Sequence, residues 1–133
     1  MVNAINTSLS GLAAASRRVE VSAQNIANQR STSDPKDGVR QSKPYSALEA
    51  QQFSTPGGGV EVRVREASPI VQEVNNPSQD SGGQKQEGVA RQPEVDVTKQ
   101  LADQHLASYD FKANLKSIEV QGKLLKKLLD IKA

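Results

Sequence analysis

Apolar side chains gather at the two ends of the chain, and at each end they recur at alternating spacings of three and four. From the N-terminus the positions are Val2, Ile5, Leu9, Leu12, Ser16, Val19, Ala23 and Ile26. This is the a/d stripe of a heptad, the pattern of a helix that buries one narrow face against another helix. Ser16 interrupts it with a polar residue. Ala13, Ala14 and Ala15 lie beside the stripe, favour helix and permit close approach. The spacing predicts a helix over residues 4–28, about 37 Å long at ~1.5 Å per residue. Asn28 is a stop, and Asp34-Pro35 and Asp37-Gly38 follow as turn signals.

The C-terminal third carries the same spacing through Val97, Leu101, Gln104, Ser108, Phe111, Leu115, Ile118, Gly122, Leu125 and Leu129. Leu124 and Leu128 widen the apolar face near the end. Asp96 is placed to cap the start of this helix, because its carboxylate accepts from free backbone N–H groups. Pro93 stops the helix from extending further back. Lysines 123, 126, 127 and 132 complement the negative end of the helix dipole. Gly122 costs about 1 kcal/mol relative to Ala inside a helix, so it is expected to mark a close approach or a flexible point.

The middle of the chain changes period. Val60, Val62 and Val64 alternate with Glu61, Arg63 and Arg65, which predicts a half-buried strand. Pro69, Ile70, Val71 and Val74 supply a second short strand, and the segment with Tyr45, Leu48 and Phe53 supplies a partner. Residues 75–92 are rich in Asn, Ser, Gly, Gln and Pro without periodicity and are expected to form a mobile loop. Residues 29–43 read the same way. The organisation is an N-terminal helix (1–28), a β-containing insert with flexible loop (29–92) and a C-terminal helix (93–133). The predicted fold is mainly α, with the two long helices paired as an antiparallel coiled coil.

Composition sharpens this picture. Hydrophobic residues make up 35% of the chain and aromatics only 3%, with no Trp. Large rings usually dominate a small core, so a lone monomer is expected to be marginal and to gain its missing apolar contacts in an oligomer. The net charge of +2 is too balanced to imply a nucleic-acid partner. No cysteine is present, so disulfides and thiolate metal sites are excluded. No segment approaches the ~20 apolar residues that span a bilayer. The first ten residues hold no Lys or Arg ahead of an apolar run and do not read as a secretory signal.

Candidate chemistry is sparse. Gly57-Gly58-Gly59 lacks the Lys and Ser/Thr of a phosphate-binding loop and leads into a strand, so it reads as a flexible turn. His105 is the one histidine. Asp103, two residues away, points to another helix face, and no ligand set surrounds them. The C-terminal lysines have no interleaved aromatics for base stacking. No nucleophile, carboxylate pair, metal site or cofactor motif emerges. The chain is expected not to be an enzyme, with no cofactor, no small-molecule substrate and no nucleic acid.

Several motifs resemble those of the flagellar basal-body rod and hook protein family. Ser10-Gly11-Leu12, Arg17-Arg18-Val19 and Val21-Ser22-Ala23-Gln24-Asn25-Ile26-Ala27-Asn28 look like its N-terminal signature. Its core, an N-[IL]-A-N tetrad, is matched by Asn25 to Asn28. Pro93-Glu94-Val95-Asp96-Val97 resembles the segment that opens the family's C-terminal helix. Ala107-Ser108 and Phe111-Lys112-Ala113-Asn114 resemble its A-S-x-x-Y-x-A-N stretch. Lys43-Pro44-Tyr45, Gly58-Gly59-Val60-Glu61-Val62 and Asn76-Pro77 extend the likeness in order over most of the chain. Phe111 stands where Tyr is usual, Glu94 where Asn is usual, and Ser46 where Arg is usual. The short length resembles a proximal rod member rather than one with a large inserted domain.

The resemblance implies a structural subunit of the proximal rod, the hollow drive shaft that crosses the bacterial periplasm and transmits torque. It also implies export through the flagellar apparatus. Expected partners are copies of the chain, other rod proteins, the export apparatus and the MS-ring region. The residues expected to build the assembly interface are Ile5, Leu9, Leu12, Val19, Asn25, Ile26, Asn28, Leu101, Phe111, Asn114, Leu115, Ile118 and Leu125. Within the chain, Ile5, Leu9, Leu12, Val19 and Ile26 are expected to pack against Leu101, Phe111, Leu115, Ile118 and Leu125. The asparagines are expected to satisfy backbone or cross-subunit groups at helix ends. A soluble coiled-coil adaptor or export partner of a flagellar or type III secretion system is the alternative.

Overall fold

The computed structural model describes residues 2–31, 45–67, 71–76 and 88–132. Helix α1 runs Val2–Asn28 and helix α2 runs Val97–Lys132, and the two lie side by side, antiparallel. Between them come two antiparallel hairpins, β1 (Leu48–Ser54) with β2 (Val60–Glu66), and β3 (Val71–Asn76) with β4 (Gly88–Pro93).

Both helices start and stop where local chemistry dictates. The last turn of α1 leaves carbonyls without intrahelical partners. The Asn28 amide donates to Gln24 O at 2.8 Å, and the Ser31 hydroxyl and N–H both donate to Asn28 O, at 2.9 and 3.0 Å. At the start of α2, Asp96 Oδ1 accepts from the Lys99 N–H at 3.1 Å, the expected N-cap. Pro93 is buried at the end of β4, so it closes a strand as well as barring the helix from running backward.

The helices meet along small and polar side chains, not along the large aliphatic stripes. Ser8 Oγ lies 3.1 Å from Ser117 Oγ. A Cβ placed on Gly11 falls 2.5 Å from Asn114 Oδ1. Asn25 Nδ2 donates to Gln100 Oε1 at 3.2 Å. On α1 the seam positions Ser8, Gly11, Ala15, Ser22 and Asn25 keep a heptad spacing, and on α2 Gln100, Ala107, Asn114 and Ser117 do the same. Ala15, Ser22, Asn25 and Ala107 are buried almost completely. The expected packing of Leu9, Leu12 and Val19 against Leu101, Phe111 and Leu115 is therefore corrected. Each helix is turned by one residue, about 100°, from that frame. The reason is steric: helices approach most closely where side chains are smallest.

Gly122 does not mark the close approach, since nothing lies within 4 Å of a Cβ built there. The close approach is at Gly11. The β2 expectation holds: Val60, Val62 and Val64 are half-buried, while Glu61, Arg63 and Arg65 are exposed. The Tyr45–Phe53 segment supplies β1, the partner of β2. The second strand falls at 71–76, whereas Pro69 and Ile70 lie outside the described residues. The expected loop 75–92 is partly strand: Asn75 pairs with Val89 and Asn76 with Gly88. Its polar composition hid a hairpin because backbone pairing, not side-chain alternation, defines it. Residues 77–87 lie outside the described residues, as do 32–43 of the other expected loop.

Gly11→Ala is expected to lower the thermal midpoint while Asn114 is present. In an Asn114→Ala background it is expected to raise stability by up to about 1 kcal/mol, the ordinary helix gain of Ala over Gly. Thermal melting of the four variants by circular dichroism checks this coupling. On the exposed face of α2, hydrogen bonds from Lys116 and Lys123 hold Glu119 down to about 2, against an ordinary value of 4.5. A carboxylate depressed in the folded state adds stability that is present above its unfolded value and lost as pH falls through its folded value. Helicity of the C-terminal half of α2 is expected to fall modestly from pH 4.5 toward 2, less so at high salt. Glu119→Gln is expected to flatten that dependence in a pH titration followed by circular dichroism.

Candidate functional site: hairpin anchors and an apolar valley

The first hairpin is laid along α1 and fixed at both ends. At its base, Asn25 uses its whole amide. Its Oδ1 accepts from the Leu48 N–H at 2.7 Å and from the Tyr45 hydroxyl at 3.0 Å. Its Nδ2 donates to Leu48 O at 2.8 Å and to Gln100 Oε1. The side chain therefore pairs with Leu48 as a strand neighbour would, and ties α1, β1 and α2 together at a point with no exposure. Burial pushes the Tyr45 phenol above its usual range.

At the hairpin tip, Ser10 Oγ donates to Thr7 O at 2.7 Å and accepts from the Val60 N–H at 3.1 Å. Gly58 and Gly59 turn the chain there with φ of +79° and +116°. A Cβ on Gly59 would collide with Ser10 Oγ, so glycine is needed for both its backbone and its lack of bulk. From Ser10 to Asn25 the helix rises about 22 Å, close to the ~24 Å of a seven-residue strand, so both anchors engage at once.

The outer face of the hairpin is solvated. Arg65 Nη2 donates to Glu49 Oε2 at 2.7 Å, and Arg63 sits 5.2 Å from the centre of the half-exposed Phe53 ring. Exposed pairs of this kind contribute little to stability.

The opposite side of the helix pair carries the stripes read from the sequence. Because the helices are antiparallel, turning each by one residue in the same sense brings both stripes to one side. There they line the two banks of an open valley of about 570 Å³, with Ser16 and Val19 on one bank and Leu101, Ser108 and Phe111 on the other. Ile5, Leu12, Val19 and Ile26 of α1, and Ile118 and Leu125 of α2, are half-buried. Leu9, Leu101 and Leu115 remain 50%, 48% and 53% exposed, and Phe111 38%. His105 is exposed on the valley wall.

The three asparagines do not behave alike. Asn25 is an internal anchor. Asn28 closes α1. Asn114 lies mid-helix, donates to Asp110 O at 2.8 Å and fills the space above Gly11. Sequence reasoning passed over Ser8, Ser10, Ser22, Gln100 and Ala107. The heptad of small residues one position ahead of the aliphatic stripe was the signal that could have found them.

A second cleft, of about 640 Å³, opens between α1, β1 and the start of α2, bordered by Arg18, Lys99, Glu94, Asp96 and Asp103. Arg18 of α1 donates to Asp110 of α2 at 2.7 Å. Among the described residues no group of three or more His, Cys, Asp or Glu is placed to hold a metal ion, and no helix is long and apolar enough to cross a membrane.

Terminal helices joined by a small-residue seam, with an insert pinned to one side and an apolar valley on the other, define an antiparallel helical-pair protein with a clamped β insert. The comparisons with known proteins carry the class to a family. No family model matches the chain. It is 32% identical to the flagellar basal-body rod protein FlgC of Yersinia enterocolitica, over 98% of this chain and 97% of the relative. It is 31% identical to FlgC of Salmonella typhimurium and 30% identical to FlgC of Escherichia coli O157:H7, with the same coverage. The chain belongs to the flagellar basal-body rod protein FlgC family, and its place is in the basal-body rod.

Asn25→Ala is expected to strand the Leu48 N–H and C=O and the Tyr45 hydroxyl. A loss of about 2–4 kcal/mol follows from their partly buried, unpaired state. Amide exchange at Leu48 should accelerate along with the lowered midpoint, and an unchanged Leu48 protection factor would contradict the anchor.

Proposed function

We propose that this chain is a self-assembling structural subunit of the proximal rod, packing side by side with copies of itself and other rod proteins to form the wall of the hollow shaft. Its role is mechanical: it carries torque across the periplasm. The export apparatus delivers it, and the MS-ring region lies at its base.

The observation that carries this reading is the exposure of Leu101 and Phe111, which line the valley, and of Leu9 and Leu115 on the same two helical stripes. A single chain gains nothing from large aliphatic side chains left half in water, whereas a neighbouring helix laid on them gains about 1.5–3 kcal/mol for each fully buried one. Many such contacts in parallel resist shear. Family membership supplies the setting.

Leu115→Asp is expected to leave the monomer's helicity intact, because the side chain lies outside the seam, yet to abolish rod assembly and motility. Swimming assays and electron microscopy of basal bodies check this. Retained motility would overturn the packing, and a stable soluble dimer never recovered in basal bodies would favour the adaptor role.

A further inference from the structure

The hairpin of β1 and β2 is two strands wide, so each strand has one edge that the other does not cover. Its bonds fix which backbone groups face outward. The Thr55 N–H donates to Gly59 O at 3.1 Å, and the Ala67 N–H donates to Ala47 O at 2.7 Å. Bonded and non-bonded pairs alternate along an antiparallel ladder. The odd-numbered residues of β1 therefore bond to β2, and Leu48, Ala50, Gln52 and Ser54 turn their N–H and C=O groups away from it.

The base of this outward edge is already taken. Asn25 offers Leu48 one acceptor and one donor, at 2.7 and 2.8 Å, as an added strand would. The amide is too short to reach further. The outward groups of Ala50 and Gln52 meet no partner among the described residues. Helix α1 also leaves this edge toward the tip. There Ser10 takes the Val60 N–H, which lies on the opposite, outward edge of β2.

Beside the uncovered stretch lies the cleft of about 640 Å³, with Ala50 and Gln52 on one wall, Lys99 and Asp103 of α2 on another, and Ser22 of α1 between them. Its charge selects an occupant. Arg18 is turned to Asp110 and Glu49 to Arg65. Glu94, Asp96 and Asp103 remain at the border, with Lys99 as their counterweight.

We propose that β1 accepts an extended, lysine- or arginine-bearing segment of another polypeptide as a third strand, laid in the cleft between β1 and α2. The incoming main chain pairs with Ala50 and Gln52, and its basic side chains lie toward Glu94 and Asp103. This surface is separate from the valley and does not depend on the rod reading.

The probe is an end-capped hexapeptide of alternating Lys and Val, titrated into the isotope-labelled full chain. Saturable shifts are expected at the Ala50 and Gln52 amides, larger than at Val62, whose N–H faces the opposite edge. Ala50→Pro removes one outward donor and leaves the bonds to β2, and is expected to weaken binding at least about tenfold. Protection of the Leu48 amide reports whether the anchored hairpin survives that substitution. On the unsubstituted chain, the same peptide N-methylated at every residue, or with Glu in place of Lys, is expected to bind at least about tenfold more weakly. Absence of saturable binding, or equal binding of either altered peptide, overturns the proposal. So does a dimer of the chain alone that Ala50→Pro disperses, since it assigns the edge to a second copy.

Discussion

The close approach of two helices through small side chains organises this molecule. Gly11 has no Cβ because Asn114 occupies the space where one would stand. Ala15, Ser22 and Ala107 continue the same thin seam. Small residues bury little area, so the seam holds the pair in register without consuming the chain's large aliphatic side chains. Those side chains rotate to one side and remain available. The seam and the large aliphatic stripes thereby fall on different faces, one residue apart around each helix.

The hairpin reinforces this division. Asn25 and Ser10 clamp it to the side of α1 away from the valley, so the insert does not cover the apolar banks. Polar anchors suit this task because they are directional. An apolar contact would tolerate the hairpin sliding along the helix, whereas the paired bonds to the Leu48 backbone fix it to one position. The first Asn of the family tetrad is thus explained by a bond to a strand and the second by closure of a helix end.

Much of the fold was legible in the sequence. Heptad spacing located both helices within two residues of their starts, Asp96 announced the cap of α2, and Val60, Val62 and Val64 announced β2. The helix frame was misread by one position because the eye follows large apolar residues, while close packing selects small ones. Leu9 and Leu115 were read as intrachain partners for that reason. Strand β4 and its pairing with β3 escaped because the residues of 75–92 carry no period. The anchoring role of Asn25 was invisible, since its bonds reach Leu48 and Gln100, far away along the chain.

The most direct test of this account is a side-chain-resolution map of the assembled basal-body rod. The account predicts that Ser8–Ser117 and Gly11–Asn114 stay in contact within each subunit, while the valley beside Val19 and Phe111 is filled by a helix from a neighbour. A map in which Leu9, Leu12 and Val19 interdigitate with Leu101 and Leu115 of the same subunit, and the valley faces water, would contradict it.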